Sequence, residues 1–213
     1  MLKVNEIFKS IQGESTYAGL PCVFIRLTGC NLRCDYCDTK YAYEEGKDFS
    51  IDELINDVEK KFNCRLVEIT GGEPLLQKSA KELLDRLVSK NYSVLLETNG
   101  TVSLKNIHPS VIKIMDVKCP SSGVSVKTDW NNLSYLAPSD QLKFVVSNKN
   151  DFDWAVNEIK EKKLDNLCPI LFSPNYNQIK NEDLAEWILQ ENINVRFQLQ
   201  LHKYIWGEAR KGR

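Results

Sequence analysis

The stretch 65-RLVEITGGEP-74 joins a short apolar run to two glycines, a glutamate and a proline. A run of this kind is typical of a buried strand, and Pro74 favours the first turn of a helix that follows. Glycines at the junction let the main chain approach a ligand closely, because they carry no side chain. The stretch therefore predicts a strand, a turn and a helix, with the turn either binding a ligand or serving only as a connection.

Alternation of strands and helices continues along the chain on both sides of this junction. Seven strands are predicted, over residues 21–28, 65–70, 92–98, 112–117, 141–146, 168–173 and 194–202. Four amphipathic helices are predicted, over residues 50–62 (with a capping box of Ser50 and Glu53), 76–90, 151–163 and 181–191. Such alternation predicts an α/β fold with a mainly parallel sheet, barrel-like or open. Since residues 101–111 and 118–140 lack a helical pattern, the chain has room for about six strand–helix units.

Length and composition limit the possible functions. At 213 residues the chain is predicted to be a single domain, 1–213, and its net charge of −1 gives no long-range field that would favour nucleic acid or an anionic membrane. No apolar run approaches the roughly 18 residues of a membrane span, and the first residues do not resemble a signal peptide. Seven cysteines, with three of them clustered, fit a reducing cytoplasmic setting and a metal or redox site better than a disulfide framework.

Polar or charged residues recur near the C-terminal ends of the predicted strands. They are Arg26, Thr70, Glu97, Lys118, Lys143 and His202. Over 197-FQLQLH-202, a period of two places Gln198, Gln200 and His202 on one face of the strand. Any one of these residues could simply mark where a strand emerges into water. Because the C-terminal strand ends of parallel α/β folds form the active-site face, the six together predict a polar cup.

The stretch 28-TGCNLRCDYCDTKY-41 places Cys30, Cys34 and Cys37 within eight residues. A structural zinc site needs four ligands, usually as two pairs, and the remaining cysteines are dispersed along the chain. An iron–sulfur cubane held by three thiolates leaves one iron with open coordination, where a small molecule can bind. Gly29 would let the main chain come close to such a cluster. The ligand count favours a 4Fe-4S cluster with a reactive iron, and a catalytic zinc with three thiolates and a water stays open.

The spacing Cys30-x3-Cys34-x2-Cys37, followed by 70-TGGEP-74, resembles the two motifs of the radical S-adenosylmethionine (SAM) enzymes. The resemblance implies a partial (β/α)6 TIM-like barrel with a mainly parallel sheet, open on one side. It implies that SAM chelates the open iron and that an electron from the cluster cleaves SAM to a 5′-deoxyadenosyl radical, which takes a hydrogen atom from the substrate. It assigns to SAM binding the residues Tyr36, Asp38, Gly72, Glu73, Asn99, Asp116, Val117 and Lys118.

Three further segments narrow the resemblance to radical SAM enzymes that make 7-deazapurines: 5-NEIFKSIQGESTYAGLPCVFIRLTGC-30, 37-CDT-39 and 198-QLQLHKYIWGEARKGR-213. It implies that 6-carboxy-5,6,7,8-tetrahydropterin becomes 7-carboxy-7-deazaguanine with loss of ammonia, on the route to queuosine, and that SAM is regenerated. It implies a Mg²⁺ ion held by Thr39 and the substrate carboxylate, in keeping with the oxygen ligands that Mg²⁺ prefers. It assigns to substrate binding the residues Ile11, Gln12, Gly13, Glu14, Arg26, Thr70, His202 and Arg213.

The same resemblance implies a C-terminal segment, about 198–213, that closes on the substrate, a homodimer, and flavodoxin or ferredoxin as reductant. Asp38 and Thr39 could instead cap the turn after the cysteines. A glycyl-radical activase shares the cysteine spacing but lacks the IQGE and CDT elements. A non-catalytic iron–sulfur or zinc protein would need a fourth permanent ligand from among Cys22, Cys64, Cys119 and Cys168.

Overall fold

The computed structural model describes residues 1–207 and 211–212. Its core is one nine-stranded sheet with the order β3-β1-β2-β4-β5-β6-β7-β8-β9. The strands are β1 Leu2–Ile11, β2 Pro21–Leu27, β3 Lys47–Phe49, β4 Leu66–Gly71, β5 Ser93–Thr98, β6 Ile112–Val117, β7 Gln141–Val146, β8 Ile170–Pro174 and β9 Arg196–Phe197. The order leaves β3 and β9 at opposite edges, so the sheet is not closed into a barrel.

The pairing from β2 to β9 is parallel throughout, whereas β1 pairs antiparallel with both β2 and β3. The prediction of an α/β fold with a mainly parallel, open sheet is therefore confirmed. In each parallel pair the C-terminal strand ends meet at one edge of the sheet, which is where such folds bind their ligands. The register aligns Arg26 with Thr70 and Asp116 with Lys143 across neighbouring strands.

The helices are α1 Ile51–Lys61, α2 Ala80–Ser89, α3 Lys149–Lys162, α4 Asn181–Glu191 and α5 Leu201–Trp206. The capping box of Ser50 and Glu53 is formed, which fixes the start of α1. The outward face of the sheet packs on these helices in one large apolar cluster that includes Ile69, Leu83 and Phe144. The opposite face carries a small apolar cluster of Cys22, Phe24, Leu66, Leu95 and Ile114, which lies on the same face as the polar residues near the strand ends.

Two predicted elements differ from the structure. The helix predicted over 76–90 begins only at Ala80, because Gln77 is extended and its side chain bonds the main chain of Lys3 and Thr28. Pro74 does start a helical turn, but it is the short 3-10 turn Pro74–Leu76. The strand predicted over 194–202 ends at Phe197, and residues 201–206 form α5 instead.

The chain leaves the sheet after Phe197 because its next polar side chains bond the loop that follows β1. Gln198 pairs with the main chain of Ser15 through both ends of its amide, at 2.8 and 2.6 Å. Gln200 donates to Glu14 at 2.9 Å, and the Leu201 N–H donates to the Gly13 carbonyl at 2.9 Å. The prediction that His202 ends a strand is therefore wrong, since this residue lies in a helix above the site. No helix within the described part of the chain is long and apolar enough to cross a membrane.

Candidate active site

One cavity lies at the C-terminal edge of the parallel strands. Its lining includes all six residues of the predicted polar cup, namely Arg26, Thr70, Glu97, Lys118, Lys143 and His202. The three clustered cysteines line the same cavity, together with the Ile11–Ser15 loop and Thr39. The structure thus brings the cysteine motif, the glycine turn after β4 and the IQGE segment to one place.

The cysteine loop and the glycine turn pack directly on each other. The Glu73 N–H donates to the Gly29 carbonyl at 2.8 Å, and Gly29 has a φ of +100° that favours glycine. A Cβ added at Gly72 would lie 2.2 Å from the Gly29 oxygen and 2.7 Å from the Cys30 Cβ. Glycine is therefore required at position 72 for the two loops to approach one another.

Three of the seven cysteines face the cavity. All seven thiols are free of disulfides, and only Cys30, Cys34 and Cys37 line the cavity. Within residues 1–207 and 211–212, no three His, Cys, Asp or Glu side chains converge closely enough to hold a single metal ion. In a cubane each thiolate binds a different iron, so its thiols stand farther apart than the ligands of one zinc. Three thiols in one cavity are the ligand number that leaves one iron of a cubane open.

Two buried polar atoms beside the cysteines have no hydrogen-bond partner among the described residues. They are the Tyr36 hydroxyl and the Asp116 Oδ1. Both residues line the cavity, while the other oxygen of Asp116 accepts from Lys118 at 2.8 Å. Buried polar groups in folded proteins are almost always satisfied, so these two atoms indicate a polar ligand at this end of the cavity.

Glu73 serves as a structural brace in this arrangement. Its carboxylate accepts from the Thr98 hydroxyl at 2.9 Å, from the Asn99 N–H at 2.7 Å and from the Leu75 N–H at 3.0 Å. The side chain is fully buried and does not line the cavity. Burial raises the pKa of Glu73, and the three donors oppose that shift. The carboxylate thereby fixes the glycine turn to the loop after β5.

A buried lysine links three carboxylates that line the cavity. The Lys143 Nζ lies 2.7 Å from Glu14, 2.6 Å from Glu97 and 3.4 Å from Asp116. Burial alone would lower the pKa of Lys143, but the three carboxylates raise it well above its usual value. Burial alone would raise the pKa of Glu14, but Lys143 and His202 lower it to about 2. The lysine is therefore a fixed cation, and Glu14 is a fixed anion.

Gln12 and Glu68 form a second buried pair beside Glu14. The Gln12 Nε2 donates to the Glu68 carboxyl, and the Gln12 Oε1 accepts from the Glu14 N–H at 3.0 Å. The main chain of Gln12 is also bonded, to Leu20 and Gly19, at 2.8 Å each. Gln12 thus holds the loop after β1 in shape, and its polar groups are engaged within the protein.

Arg26 and His202 approach the cavity from two sides. The Arg26 Nε donates to Glu6 at 2.7 Å, which leaves the rest of its guanidinium to face the cavity. His202 packs on Gly13 so closely that a Cβ at position 13 would lie 2.2 Å from the His202 Nδ1. His202 can therefore pack here only because residue 13 is a glycine.

Thr39 lies at the cavity wall, between the cysteine loop and α5. Its hydroxyl donates to the Asp38 Oδ1 at 2.9 Å, and the Asp38 Oδ2 accepts from the Lys203 Nζ at 2.8 Å. Thr39 precedes the 3-10 turn Lys40–Ala42, but its side chain makes no capping hydrogen bond. The geometry gives no support to the interpretation of Thr39 as a side-chain cap.

Most of the residues assigned from sequence lie around this cavity. Among the SAM set, Glu73 and Val117 are buried behind it, and the others line it. Among the substrate set, Arg213 lies outside the described residues, and the others line the cavity. Sequence reasoning missed three cavity residues: Glu68 in the middle of β4, Asn175 directly after β8 and Lys203 on α5. For Glu68 the sequence does contain a signal, because a charged residue inside an otherwise apolar strand indicates a polar site.

The radical SAM superfamily model matches residues 24–188, which defines the class of this fold and site. A 7-carboxy-7-deazaguanine synthase of Koribacter versatilis is 41% identical over 225 residues, covering 99% of this chain and 100% of the relative. A 7-carboxy-7-deazaguanine synthase of Chlorobaculum tepidum is 44% identical, covering 99% of this chain and 97% of the relative. The chain therefore belongs to the radical SAM superfamily and, within it, to the 7-carboxy-7-deazaguanine synthase family. The crystal structure of QueE from Escherichia coli shares the fold, with a TM-score of 0.79, 24% identity and 94% of each chain covered.

Membership of this superfamily implies that a 4Fe-4S cluster and SAM are the cofactors. The residues present fit both groups. Three thiols that line one cavity suit the cubane, and the two unpartnered buried atoms next to them suit a polar organic ligand. Gly72 lies so close to the cysteine loop that only main-chain groups fit between the place of the cluster and the place of SAM.

Proposed function

We propose that the protein converts 6-carboxy-5,6,7,8-tetrahydropterin to 7-carboxy-7-deazaguanine with release of ammonia. One observation carries this proposal: the loop 11–15 and the cysteine loop line the same cavity. A substrate held by the first loop would therefore lie beside the cofactors held by the second. Substrate and product differ only by ammonia, so the overall reaction requires no net oxidant, and SAM can be regenerated.

The cofactor end of the cavity would be held by Cys30, Cys34 and Cys37, with the cluster and SAM supplying the one-electron chemistry that removes a hydrogen atom from C6. Tyr36, Gly72 and Asn99 line the cavity close to these thiols, which supports their assignment to SAM. Asp116 and Lys118 form an ion pair at the end of β6 with one carboxylate oxygen left over. Glu73 would act from behind this layer by holding the glycine turn in place.

The substrate end has charges that match the two ends of a carboxypterin. The Arg26 guanidinium and His202 are suited to the carboxylate, which a cation or an N–H donor binds. Glu14 is an anion whose oxygens can accept from the amino and ring N–H groups of the pterin, as in recognition of a guanine edge. Thr70 donates to Glu97 at 3.0 Å beside them and lies at the boundary with the SAM loop.

Thr39 would ligate a Mg²⁺ ion shared with the substrate carboxylate. Its proton is committed to Asp38, so its oxygen presents only lone pairs, which is the form that a hard cation binds. One protein hydroxyl is a sufficient contribution only if the substrate and waters complete the shell. The ion would orient the carboxylate and so fix C6 toward the cofactors.

The C-terminal segment would close the cavity as part of a single domain. Gln198 and Gln200 attach it to the loop after β1, and Lys203 attaches it to the cysteine loop. The Gly212 N–H reaches back to Glu6, which also holds Arg26. These contacts support a segment that covers the substrate.

We further propose a homodimer, reduced by flavodoxin or ferredoxin, in the cytoplasm. Seven cysteines with no disulfide among them support a reducing compartment. The dimer and the reductant follow from the family alone. Size-exclusion chromatography with light scattering, and reduction of the cluster by each purified electron carrier, would test them.

The test of the proposed function is an anaerobic assay with reconstituted protein, SAM, reductant, Mg²⁺ and the carboxytetrahydropterin. We expect 7-carboxy-7-deazaguanine and ammonia in equal amounts. SAM cleavage without either product would reject the substrate and keep the radical chemistry. A glycyl-radical activase would instead cleave SAM only in the presence of a partner protein, which the purified system lacks.

A further inference from the structure

Glu68 is a buried carboxyl group for which the proposed function has no use. It lies on β4 two residues before Thr70, so a period of two points both side chains into the cavity. The residue is 4% exposed, and its neighbours on the same face of the sheet are the apolar Phe24 and Leu95. An ionisable group in such a position is costly unless it is paired or has a function.

The hydrogen bonds around Glu68 fix which of its oxygens is free. The Gln12 Oε1 accepts from the Glu14 N–H, so the amide nitrogen of Gln12 must face Glu68. The Glu68 Oε2 therefore always receives a donor. No hydrogen bond to the other oxygen, Oε1, is formed within the described residues, and Glu68 lines the cavity. One oxygen is thus bound to the protein, and the second is left for a ligand.

The charges around Glu68 disfavour its ionised form. The titratable or charged groups that face it are Glu14 from the loop after β1, Cys22 and Arg26 from β2, Glu97 from β5 and Lys143 from β7. The single ammonium group of Lys143 already bonds Glu14 and Glu97 and lies 3.4 Å from Asp116. Burial, followed by the charges of Glu97 and Glu14, raises the pKa of Glu68 well above its usual value of 4.5.

We propose that Glu68 is a substrate-binding residue in its neutral form: one oxygen accepts from Gln12, and the other donates its proton to an acceptor atom of the pterin ring. The proposal rests on the proposed function, since it names a further contact of the same site. A pterin offers both donors and acceptors, and the ionised Glu14 can serve only the donors. A neutral Glu68 next to it serves an acceptor, so the two carboxyl groups together fix the orientation of the ring.

The test compares the Glu68→Leu and Glu68→Gln variants of the reconstituted holoenzyme. A carboxamide at position 68 can accept from Gln12 and donate into the cavity, whereas leucine can do neither. We expect E68L to weaken binding of the carboxytetrahydropterin about tenfold or more, the effect of one lost hydrogen bond, and E68Q to recover most of that loss. Equal losses in E68L and E68Q would overturn the proposal, as would wild-type affinity in E68L.

A second measurement reports the charge of Glu68 without substrate. When the pKa of a carboxyl group is raised on folding, the protonated form stabilises the folded protein. That contribution is complete below pH 4.5, the usual pKa, and is lost as the pH rises through the pKa of the folded state. We expect the melting temperature of E68Q to exceed that of the wild type at pH 8, with a gap that narrows toward pH 5. A difference in melting temperature that stays constant from pH 5 to pH 8 would show that Glu68 is not neutral in the folded protein. This measurement needs only E68Q and the wild type, so it holds even if E68L does not fold.

The two proposals fail separately in these experiments. If the wild-type protein forms no product from the carboxytetrahydropterin, the proposed function is wrong, and the melting curves still report the charge of Glu68. If the wild type turns over but E68Q shows no recovery relative to E68L, only the role of Glu68 is wrong.

Discussion

The Lys203 Nζ on α5 lies 2.8 Å from the Asp38 Oδ2 and so ties the C-terminal helix to the cysteine loop. The other oxygen of Asp38 accepts the Thr39 hydroxyl proton at 2.9 Å. Burial alone would raise the pKa of Asp38, but Lys203 holds it well below its usual range. A single carboxylate therefore connects the helix that covers the cavity with the hydroxyl proposed to bind Mg²⁺.

Replacing Lys203 with methionine should loosen this connection. We expect K203M to raise the Mg²⁺ concentration for half-maximal product formation roughly three- to tenfold, because Asp38 is partly exposed and water offsets part of the loss. The surface pair of Lys160 and Glu191 provides the matched control, and K160M should leave the Mg²⁺ response unchanged. An Mg²⁺ curve for K203M that overlays the wild-type curve would contradict a positioning role.

Thr39→Ala should remove the proposed protein ligand of Mg²⁺, whereas Thr39→Ser keeps the oxygen. We expect product formation by T39A to fall about tenfold or more at saturating SAM, with little further response to added Mg²⁺. T39S should retain most of the response. Titration of product rate against Mg²⁺ in the three proteins decides the question, and an unaltered metal dependence in T39A refutes the ligand role.

Cys37→Ser should prevent the protein from holding a cluster, since it removes one of three thiolates. Iron and sulfide analysis after reconstitution should show a loss of most of the bound iron in C37S, and likewise in C30S and C34S. Cys64, which is half-buried and bonds only main-chain carbonyls, offers the matched control. Iron loss in C64S, or in variants of Cys22, Cys119 or Cys168, would point to a fourth permanent ligand.

Gly72→Ala should push the glycine turn away from the cysteine loop. The new Cβ would meet main-chain atoms of Gly29 at 2.2 and 2.6 Å, which cannot move aside as a flexible side chain would. We expect a cost of about 1–3 kcal/mol in unfolding free energy and a weaker binding of SAM. Gly19→Ala is the control for SAM binding: its φ of +93° makes an alanine costly for stability, but nothing lies within 4 Å of the added atom, so SAM affinity should be unchanged. Normal SAM affinity in G72A would show that the close approach is dispensable.

Local patterns in the sequence predicted the parallel half of the sheet well. Apolar runs gave β2 and the strands from β4 to β8, and the capping box gave the start of α1, because these signals lie within a few neighbouring residues. β1 was missed because its pairing with β2 shifts register between Val4 and Glu6, which breaks the alternation of buried and exposed residues. The short β3 pairs only with β1 and has no apolar alternation of its own.

The sequence predicted site residues whose position follows from a local motif or a strand end. It did not predict those whose role depends on a partner far away in the sequence. Strand-end positions brought Arg26, Thr70 and Glu97 to one cavity, as parallel topology requires, whereas Lys143 is the third residue of β7 and lines the cavity from within its strand. The partnership of Lys203 with Asp38 joins residues far apart in sequence, so no local pattern reveals it. Glu68 looked like part of an ordinary strand, since its meaning depends on Gln12 and Glu97, which lie on other elements.

The central claim is that the cofactors remove the C6 hydrogen atom of the pterin and that SAM is then regenerated. The most direct measurement uses substrate carrying deuterium at C6, under multiple-turnover conditions, with mass analysis of SAM and product. We expect several products formed per SAM and deuterium in the recovered SAM. Stoichiometric accumulation of 5′-deoxyadenosine, with deuterium absent from both it and SAM, would contradict it.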